Sequence, residues 1–244
     1  MGADQNLDWR AAAASALEWW RDAGVDVIVG DAAVSWLVPE PAEAAAPIAP
    51  RARAARPPAD AGALPDTLEA FLAWRVGPHA PEARWGAPPV APSGPANARI
   101  MVLIDCPDRE DRTRMLGGAA GRLFDRMLAA IGLTRDDVLI AGVATVRPST
   151  GRVPRDIEAR LGEIARHHVM LAAPERLLLL GDAASRAVLS ANAAESRERL
   201  HILNHKSGTT TDAVASFHPQ LLLQKPACKA EAWRDLLMLT RGLK

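Results

Sequence analysis

An unbroken apolar run near the middle of the chain constrains the fold more than any other feature. Residues 99–104 read Arg-Ile-Met-Val-Leu-Ile, and a polar turn, a glycine-rich bend at 117–121 and a predicted helix follow. A continuous apolar run ahead of a crossover helix is typical of a strand buried in a parallel sheet. Ligands of open α/β sheets bind just beyond the carboxyl ends of such strands. Residues 105–108 (Asp-Cys-Pro-Asp) are therefore placed where a site is expected.

Three more apolar runs, at residues 138–143, 176–180 and 214–216, stand between segments with helical patterns. Strands that alternate with helices indicate an α/β fold, in which a parallel sheet is covered on both faces. Residues 217–219 (Phe-His-Pro) follow the last run, and we expect this loop to face residues 105–108 across one cleft. The helices are expected at 118–131, at 154–172, after Gly181 up to Leu189, and at 226–239, with a shorter one that Asp66 caps.

The start of the chain predicts a separate helix. Residues 7–23 place Ala13, Leu17 and Trp20 on one side at helical spacing, and Gly24 is a natural stop. We expect this helix to pack on the main domain through its tryptophans.

A possible docking segment and a stretch with almost no large apolar residue separate that helix from the rest. Residues 25–29 are compatible with a strand or with an extended docking segment, and residues 36–38 can anchor on the main body. Residues 39–65 are rich in Ala, Pro and Arg, which predicts a flexible linker. The chain is thus divided into a helix and docking segment (1–38), the linker, and an α/β domain (66–244). The linker contains three arginines, Arg51, Arg53 and Arg56. They are compatible with a solvated basic linker or with an arm that contacts phosphate.

The composition limits the classes of function. The chain has 244 residues and a formal net charge of zero, so a nucleic-acid site must be a local basic patch. Its 2 cysteines have neither metal nor disulfide spacing, which fits a reducing cytoplasm. No apolar segment is long enough to span a bilayer, and the first residues lack a signal-peptide core. We therefore expect a cytoplasmic protein with no membrane partner. A monomer is expected as well.

The order of these motifs resembles the family 4 uracil-DNA glycosylases. The shared order is a strand, an acid-Pro loop, a glycine-rich bend, a second strand with an Arg-Pro loop, and His-Pro before a closing helix. The resemblance covers nearly the whole chain, including the tryptophan-rich start. Its most specific stretches are residues 121–133, 218–222 and 229–236.

The resemblance implies a three-layer α/β/α sandwich with a central parallel sheet. Proteins of this family bind DNA, flip uracil out of the stack and hydrolyse its N-glycosidic bond. Asp105 then stands at the position that orients water, and His218 at the position that stabilises the leaving base. From the residues alone, Asp105 is equally compatible with a helix or turn cap, and a histidine before proline with a loop hydrogen bond.

Several positions depart from the family's pattern. Its Gly-Glu-Ala-Pro-Gly loop is replaced by residues 104–108, which shortens the carboxylate at Asp105 and removes both glycines. In the base pocket, which also includes Cys106 and Pro107, Leu116 replaces a stacking Phe. Gly142 replaces the Asn that reads the uracil edge.

The DNA-binding positions are only partly kept. Arg147 and Arg152 match the family's loop after the second strand and are compatible with phosphate contacts or with a solvated loop. Gly118 and Lys225 are the other expected DNA contacts. Gln224 replaces an Arg that is usual in the family.

The family usually carries an iron–sulfur cluster on four cysteines. Val146 and Leu161 stand at two of those positions, and residues 75–83 supply no cysteine pair. Cys106 and Cys228 are isolated and wrongly placed, so no cluster is expected. A substitute metal on histidines is not expected either. His167 and His168 are adjacent in a predicted helix and therefore point two ways, and the remaining candidate, His79, lies far along the chain.

Two functions of different classes remain open. The first is a divergent DNA glycosylase with weak or altered uracil specificity, favoured by Asp105, His218 and Arg147. The second is a catalytically silent relative that binds DNA or a repair protein, favoured by the changes at Leu116 and Gly142. Hydrolysis of another N-glycoside is a weaker third reading.

Overall fold

The computed structural model describes residues 9–22, 63–205 and 208–243. The chain divides into two compact units, Met1–Arg56 and Pro57–Lys244. The predictions for residues 25–29 and 36–38, and nearly all of the predicted linker, lie outside the described residues.

The first unit contains helix α1 (Trp9–Asp22), which lies within the predicted range 7–23. Leu17 and Trp19 are 69% and 68% exposed, and Trp20 is 54% exposed. The helix therefore presents an apolar surface to solvent, and its docking on the main domain stays a prediction.

The second unit is built on a five-stranded sheet in the order β2-β1-β3-β5-β4. Strands β1, β2, β3 and β5 are parallel, and β4 runs antiparallel to β5 at the edge. The register pairs Ile104 with both Gly142 and Leu180, and Leu180 with Ser216. The carboxyl ends of the four parallel strands therefore lie level with one another. The strands are β1 (Ile100–Ile104), β2 (Val138–Gly142), β3 (Arg176–Leu180), β4 (His201–Asn204) and β5 (Thr210–Ser216).

Helices cover both faces of this sheet, because successive strand residues point to opposite sides. Met101 and Leu103 pack in a core with Phe71 of α2 and Leu161 of α4, whereas the opposite core contains Phe124 of α3. The three-layer α/β/α sandwich is thus confirmed. The helices are α2 (Leu68–Arg75), α3 (Gly118–Ala130), α4 (Arg155–Ala172), α5 (Asp182–Leu189), α6 (Ala193–Ser196), α7 (Pro219–Gln224) and α8 (Lys229–Thr240).

Some element boundaries differ from the sequence prediction. Strand β5 begins at Thr210 rather than 214, and β4 was not predicted. Thr67, not Asp66, caps α2, because the Thr67 hydroxyl accepts a hydrogen bond from Ala70 N at 3.3 Å. In the described part of the chain, none of the helices is both long and apolar enough for a bilayer crossing.

Candidate active site

The loops that follow β1, β3 and β5 meet at the carboxyl edge of the sheet. Asp105 follows β1, Gly181 follows β3, and His218 lies two residues after β5. Gly181 N donates to Ser216 O at 3.2 Å, which holds the second and third loops together. A Cβ at Gly181 would stand 2.6 Å from both carboxylate oxygens of Asp105, and its φ is +116°. Glycine at this position therefore leaves the room that the Asp105 carboxylate occupies.

Asp105 caps a helix from outside that helix. Its Oδ1 accepts a hydrogen bond from Ala184 N, in the first turn of α5, at 2.7 Å. Burial raises the pKa of Asp105 to about 6. The hydrogen bond from Ala184 N lowers this pKa, and the nearby charge of Asp182 raises it further. The carboxylate is thus ionised at neutral pH and can accept a proton or orient water. Both sequence-based readings, cap and site, are compatible with this geometry.

His218 is the N-cap of α7. Its Nδ1 accepts a hydrogen bond from Gln220 N at 3.2 Å, and Pro219 is the first helical residue. A neutral imidazole that accepts at Nδ1 carries its proton on Nε2, and we assign the tautomer from this bond. Burial lowers the pKa of His218, while the charges of Asp108 and Asp111 oppose the shift. His218 therefore offers a neutral N–H donor at neutral pH, and the loop after β1 lies within its electrostatic reach.

The loop after β1 is organised by Asp111, which was not singled out from the sequence. This carboxylate is 6% exposed and accepts three backbone hydrogen bonds, from Asp108 N at 2.8 Å, Leu116 N at 3.0 Å and Gly117 N at 2.6 Å. Aspartates commonly hold turns in this way. The acid-rich stretch before the glycine bend was the signal that could have identified it.

The positions expected to line a base pocket are filled by protein. Leu116 is 1% exposed with φ +54°, and it belongs to the same core cluster as Phe124. A Cβ at Gly142 would overlap the carbonyl oxygen of Ala144 and lie 3.1 Å from Met115 Cε. The space around Leu116 and Gly142 is therefore closed in this conformation.

Cys106 and Pro107, the other expected pocket residues, are both buried. Burial raises the pKa of the Cys106 thiol to about 12. Its Sγ lies 3.9 Å from Gly151 O. Cys106 is thus a neutral thiol at neutral pH, between the loops after β1 and β2, and a neutral thiol is a weak nucleophile.

The expected DNA contacts lie in different surroundings. Arg147 Nη1 donates to Pro107 O at 2.9 Å and lies 3.4 Å from Asp108 Oδ1, so it joins the loops after β1 and β2. Arg152, farther along the second loop, and Lys225, after α7, are exposed. Gly118 starts α3 with φ +56°, and the carboxylate of Glu110 fills the place where a Cβ would be.

The residues at the expected cluster positions do not fit an iron–sulfur cluster. Val146 and Leu161 are 1% and 0% exposed and pack as apolar side chains, whereas a cluster needs thiolates. Beside Val146, Arg75 pairs with the buried carboxylate of Glu82 and donates to Val143 O at 2.6 Å. Apolar side chains and this ion pair thus surround the expected cluster positions, beside a cleft that Arg75, Ala80 and Val146 line. The absence of a cluster stays a prediction.

The adjacent histidines of α4 differ in their polar contacts, although both rings lie near Phe71, with a ring distance of 5.4 Å for His167. His167 Nε2 contacts Pro65 O at 2.8 Å, whereas His168 is buried beside Phe71 at a ring distance of 5.0 Å. Burial and the charge of Arg75 lower the pKa of His168 to about 3. Across the described residues, no group of three or more His, Cys, Asp or Glu side chains could hold a metal ion.

Comparison with known proteins connects this edge to one family. The family model described as "Uracil DNA glycosylase superfamily" matches residues 91–237, which begin before β1 and end within α8. The chain is similar to the Type-4 uracil-DNA glycosylase of Pyrobaculum aerophilum, with 28% identity over 153 residues, 59% of this chain and 77% of the relative. It is also similar to the Type-4 uracil-DNA glycosylase of Archaeoglobus fulgidus, with 28% identity over 151 residues, 58% of this chain and 75% of the relative. The family match therefore includes Asp105 and His218.

Proposed function

Because the chain belongs to the uracil-DNA glycosylase superfamily, we propose that it hydrolyses the N-glycosidic bond of a base flipped out of DNA. Family membership indicates a role of the DNA-repair type, and the proposal adds that uracil is excised weakly or is replaced by another base. Flipping is required because the bond cannot be reached inside a duplex.

The observation that carries the proposal is the N-cap bond of His218. As the glycosidic bond breaks, the base leaves with the bonding electrons, and negative charge develops on its carbonyl oxygen. A donor fixed in advance stabilises that charge without reorganising during the reaction. The bond from Gln220 N to Nδ1 keeps the proton on Nε2. His218 is therefore proposed as the catalytic residue on the base side.

Asp105 is proposed as the residue on the water side. A carboxylate accepts several hydrogen bonds, so the bond from Ala184 N at 2.7 Å leaves capacity for a water molecule. Water adds to the sugar carbon as the base departs, and the water's proton passes to Asp105. With a pKa of about 6, Asp105 is ionised and able to accept that proton at neutral pH.

Altered specificity is supported by the side chains at positions 116 and 142. Gly142 supplies no side-chain amide to read the edge of uracil, and Leu116 supplies no aromatic face. Recognition by hydrogen bonding discriminates strongly only when the site has groups that the wrong base leaves unpaired. A site without these groups should bind uracil with little preference over other bases of similar size.

The alternative, a silent DNA-binding or repair-partner-binding relative, is favoured by the use of Asp105 as a cap of α5. A carboxylate held in that way would keep a structural role after catalysis was lost. In this reading DNA is still bound, through the exposed Arg152 and Lys225 and through Arg147.

Single-turnover assays on oligonucleotides with uracil, hypoxanthine, xanthine or an abasic site test the proposal, in single-stranded and duplex DNA. We expect measurable release of at least one base, with uracil excised slowly. No release of any base, together with retained DNA binding, would support the silent relative. Rapid, uracil-selective excision would contradict the proposed change in specificity.

A further inference from the structure

A buried charged cluster lies directly behind the His218 loop. Arg197 follows α6, and its side chain is 6% exposed. Its Nε donates to Asp235 Oδ2 at 2.8 Å, and its Nη1 donates to Glu231 Oε2 at 2.5 Å. Asp235, on α8, is fully buried and also accepts a hydrogen bond from Ser216 Oγ at 2.8 Å. The cluster thus connects α8, the end of β5 and the segment after α6.

The guanidinium of Arg197 also stacks on an aromatic ring. Its Cζ lies 3.9 Å from the centroid of Phe217, the residue immediately before His218. A cation over an aromatic face is stabilised electrostatically, and the planar guanidinium adds stacking that an ammonium cannot. The cluster therefore contacts both residues that precede His218, through the Ser216 hydroxyl and the Phe217 ring.

We propose that Arg197 is a positioning residue for His218, acting through the ring of Phe217 and the Asp235–Ser216 hydrogen bond. Ser216 and Phe217 precede His218 in the chain, and the cluster contacts the side chains of both. On its carboxyl side, the Gln220 hydrogen bond fixes the ring. Loss of the stacking would allow the Phe217–His218 backbone to shift and the bond to Nδ1 to lengthen. The catalytic consequence rests on the proposed function, whereas the effect on the His218 ring does not.

The geometry gives this role to Arg197 and not to any cation of similar charge. Both partner carboxylates approach along the edge of the guanidinium while the face of the same group covers Phe217. Burial disfavours the charge of Arg197, but the hydrogen bonds and charges of Asp235 and Glu231 raise its pKa, so the group stays protonated. Lysine would keep the charge but would lose the planar face and one of the directed bonds.

Two variants separate positioning from general stability. Arg197→Lys keeps the charge and removes the planar stack. Phe217→Leu removes the ring and leaves the ion pairs in place. Arg176→Lys is the matched control, because Arg176 pairs with Asp212 at the opposite, amino-terminal end of β3 and β5. Its partner Asp212 is 22% exposed, so the control also removes a partly buried, directed arginine contact.

The first readout is the nitrogen NMR spectrum of the histidine side chains of the DNA-free full chain, with the His218 signals assigned by their loss in His218→Gln. In the unaltered protein and in Arg176→Lys, we expect His218 to be held in the Nε2–H form at neutral pH. In Arg197→Lys and Phe217→Leu, we expect a mixture of the two neutral tautomers. Unchanged His218 signals in both variants would overturn the inference and leave Arg197 as a contributor to packing only.

The second readout is single-turnover base excision under saturating DNA. Small displacements of a catalytic group reduce rates by up to about 100-fold, so we expect a loss of about 10-fold or more in both variants, with DNA affinity unchanged. The Arg176→Lys rate should stay near that of the unaltered protein. If no base is released by any form but the His218 signals still shift, the proposed function fails and the positioning inference stands.

Discussion

Replacement of Asp105 by asparagine should stabilise the protein at neutral pH while removing its proposed catalytic carboxylate. Asparagine keeps an oxygen for the hydrogen bond from Ala184 N, but it carries no charge to bury. Burial raises the pKa of Asp105 from 3.8 to about 6 in the folded protein. A shift of one pKa unit corresponds to about 1.4 kcal/mol, so the ionised carboxylate costs about 3 kcal/mol of folding free energy above pH 6.

The sign of the pH dependence follows from the raised pKa. Asp105 binds its proton more tightly in the folded state, so its stabilising contribution is fully present below pH 3.8 and is lost as pH rises through about 6. The stability advantage of Asp105→Asn should therefore grow by about 3 kcal/mol between about pH 3 and about pH 7. Urea denaturation of both proteins across this range measures it.

Asp137→Asn is the control with the same chemical change and the opposite sign. Hydrogen bonds from the side chain and backbone of Thr134 lower the pKa of Asp137. Its contribution to stability is present above its unfolded pKa and is lost as pH falls through its folded pKa, so this variant should be less stable at neutral pH. An Asp105→Asn advantage that stays constant from acid to neutral pH would refute the account of a buried, perturbed carboxylate.

Three further predictions concern packing, DNA and cofactor. Gly142→Ala should lower the free energy of unfolding by about 1–3 kcal/mol in urea denaturation, because its Cβ would overlap Ala144 O. Gly162→Ala is the control, because its Cβ would make ordinary contacts with Ala187 of α5 and with Arg166; it should be neutral or stabilise by up to about 1 kcal/mol. Equal effects of the two substitutions would contradict this account. The affinity for duplex DNA should fall as salt rises, and the logarithm of the affinity should drop by about 0.9 per phosphate contact for each unit of the logarithm of salt concentration. Arg152→Ala should reduce this slope by the value of about one contact in fluorescence anisotropy titrations. An affinity that does not depend on salt would remove DNA as the partner. Elemental analysis should find neither iron nor stoichiometric zinc, and roughly four iron atoms per chain would overturn the reading of Val146 and Leu161.

The sequence predicted the inner part of the sheet because buried parallel strands are apolar at every position. Strand β1 is buried throughout, and its predicted range differs from the structure by one residue. Strand β4 has no such signal, because it lies at the sheet edge and Ile202 is 64% exposed. Its four residues alternate between partly buried and exposed positions, a pattern too short to predict a strand.

The site could be predicted less completely, because side-chain partners come from distant parts of the chain. The positions of Asp105 and His218 after β1 and β5 follow from the strand pattern. That Asp105 contacts α5, 79 residues away, does not follow from it. The same holds for Arg197, whose stacking on Phe217 joins two segments that no local motif connects.

The central claim is that His218 stabilises the leaving base, and the single-turnover excision rate of His218→Ala tests it most directly. The test uses whichever base the unaltered protein releases, and His205→Ala is the control, because His205 contacts Thr211 at the far edge of the sheet. A positioned acid–base group contributes about 100-fold or more, so His218→Ala should lose at least that factor while His205→Ala keeps the full rate. Equal rates for His218→Ala and the unaltered protein would contradict the account.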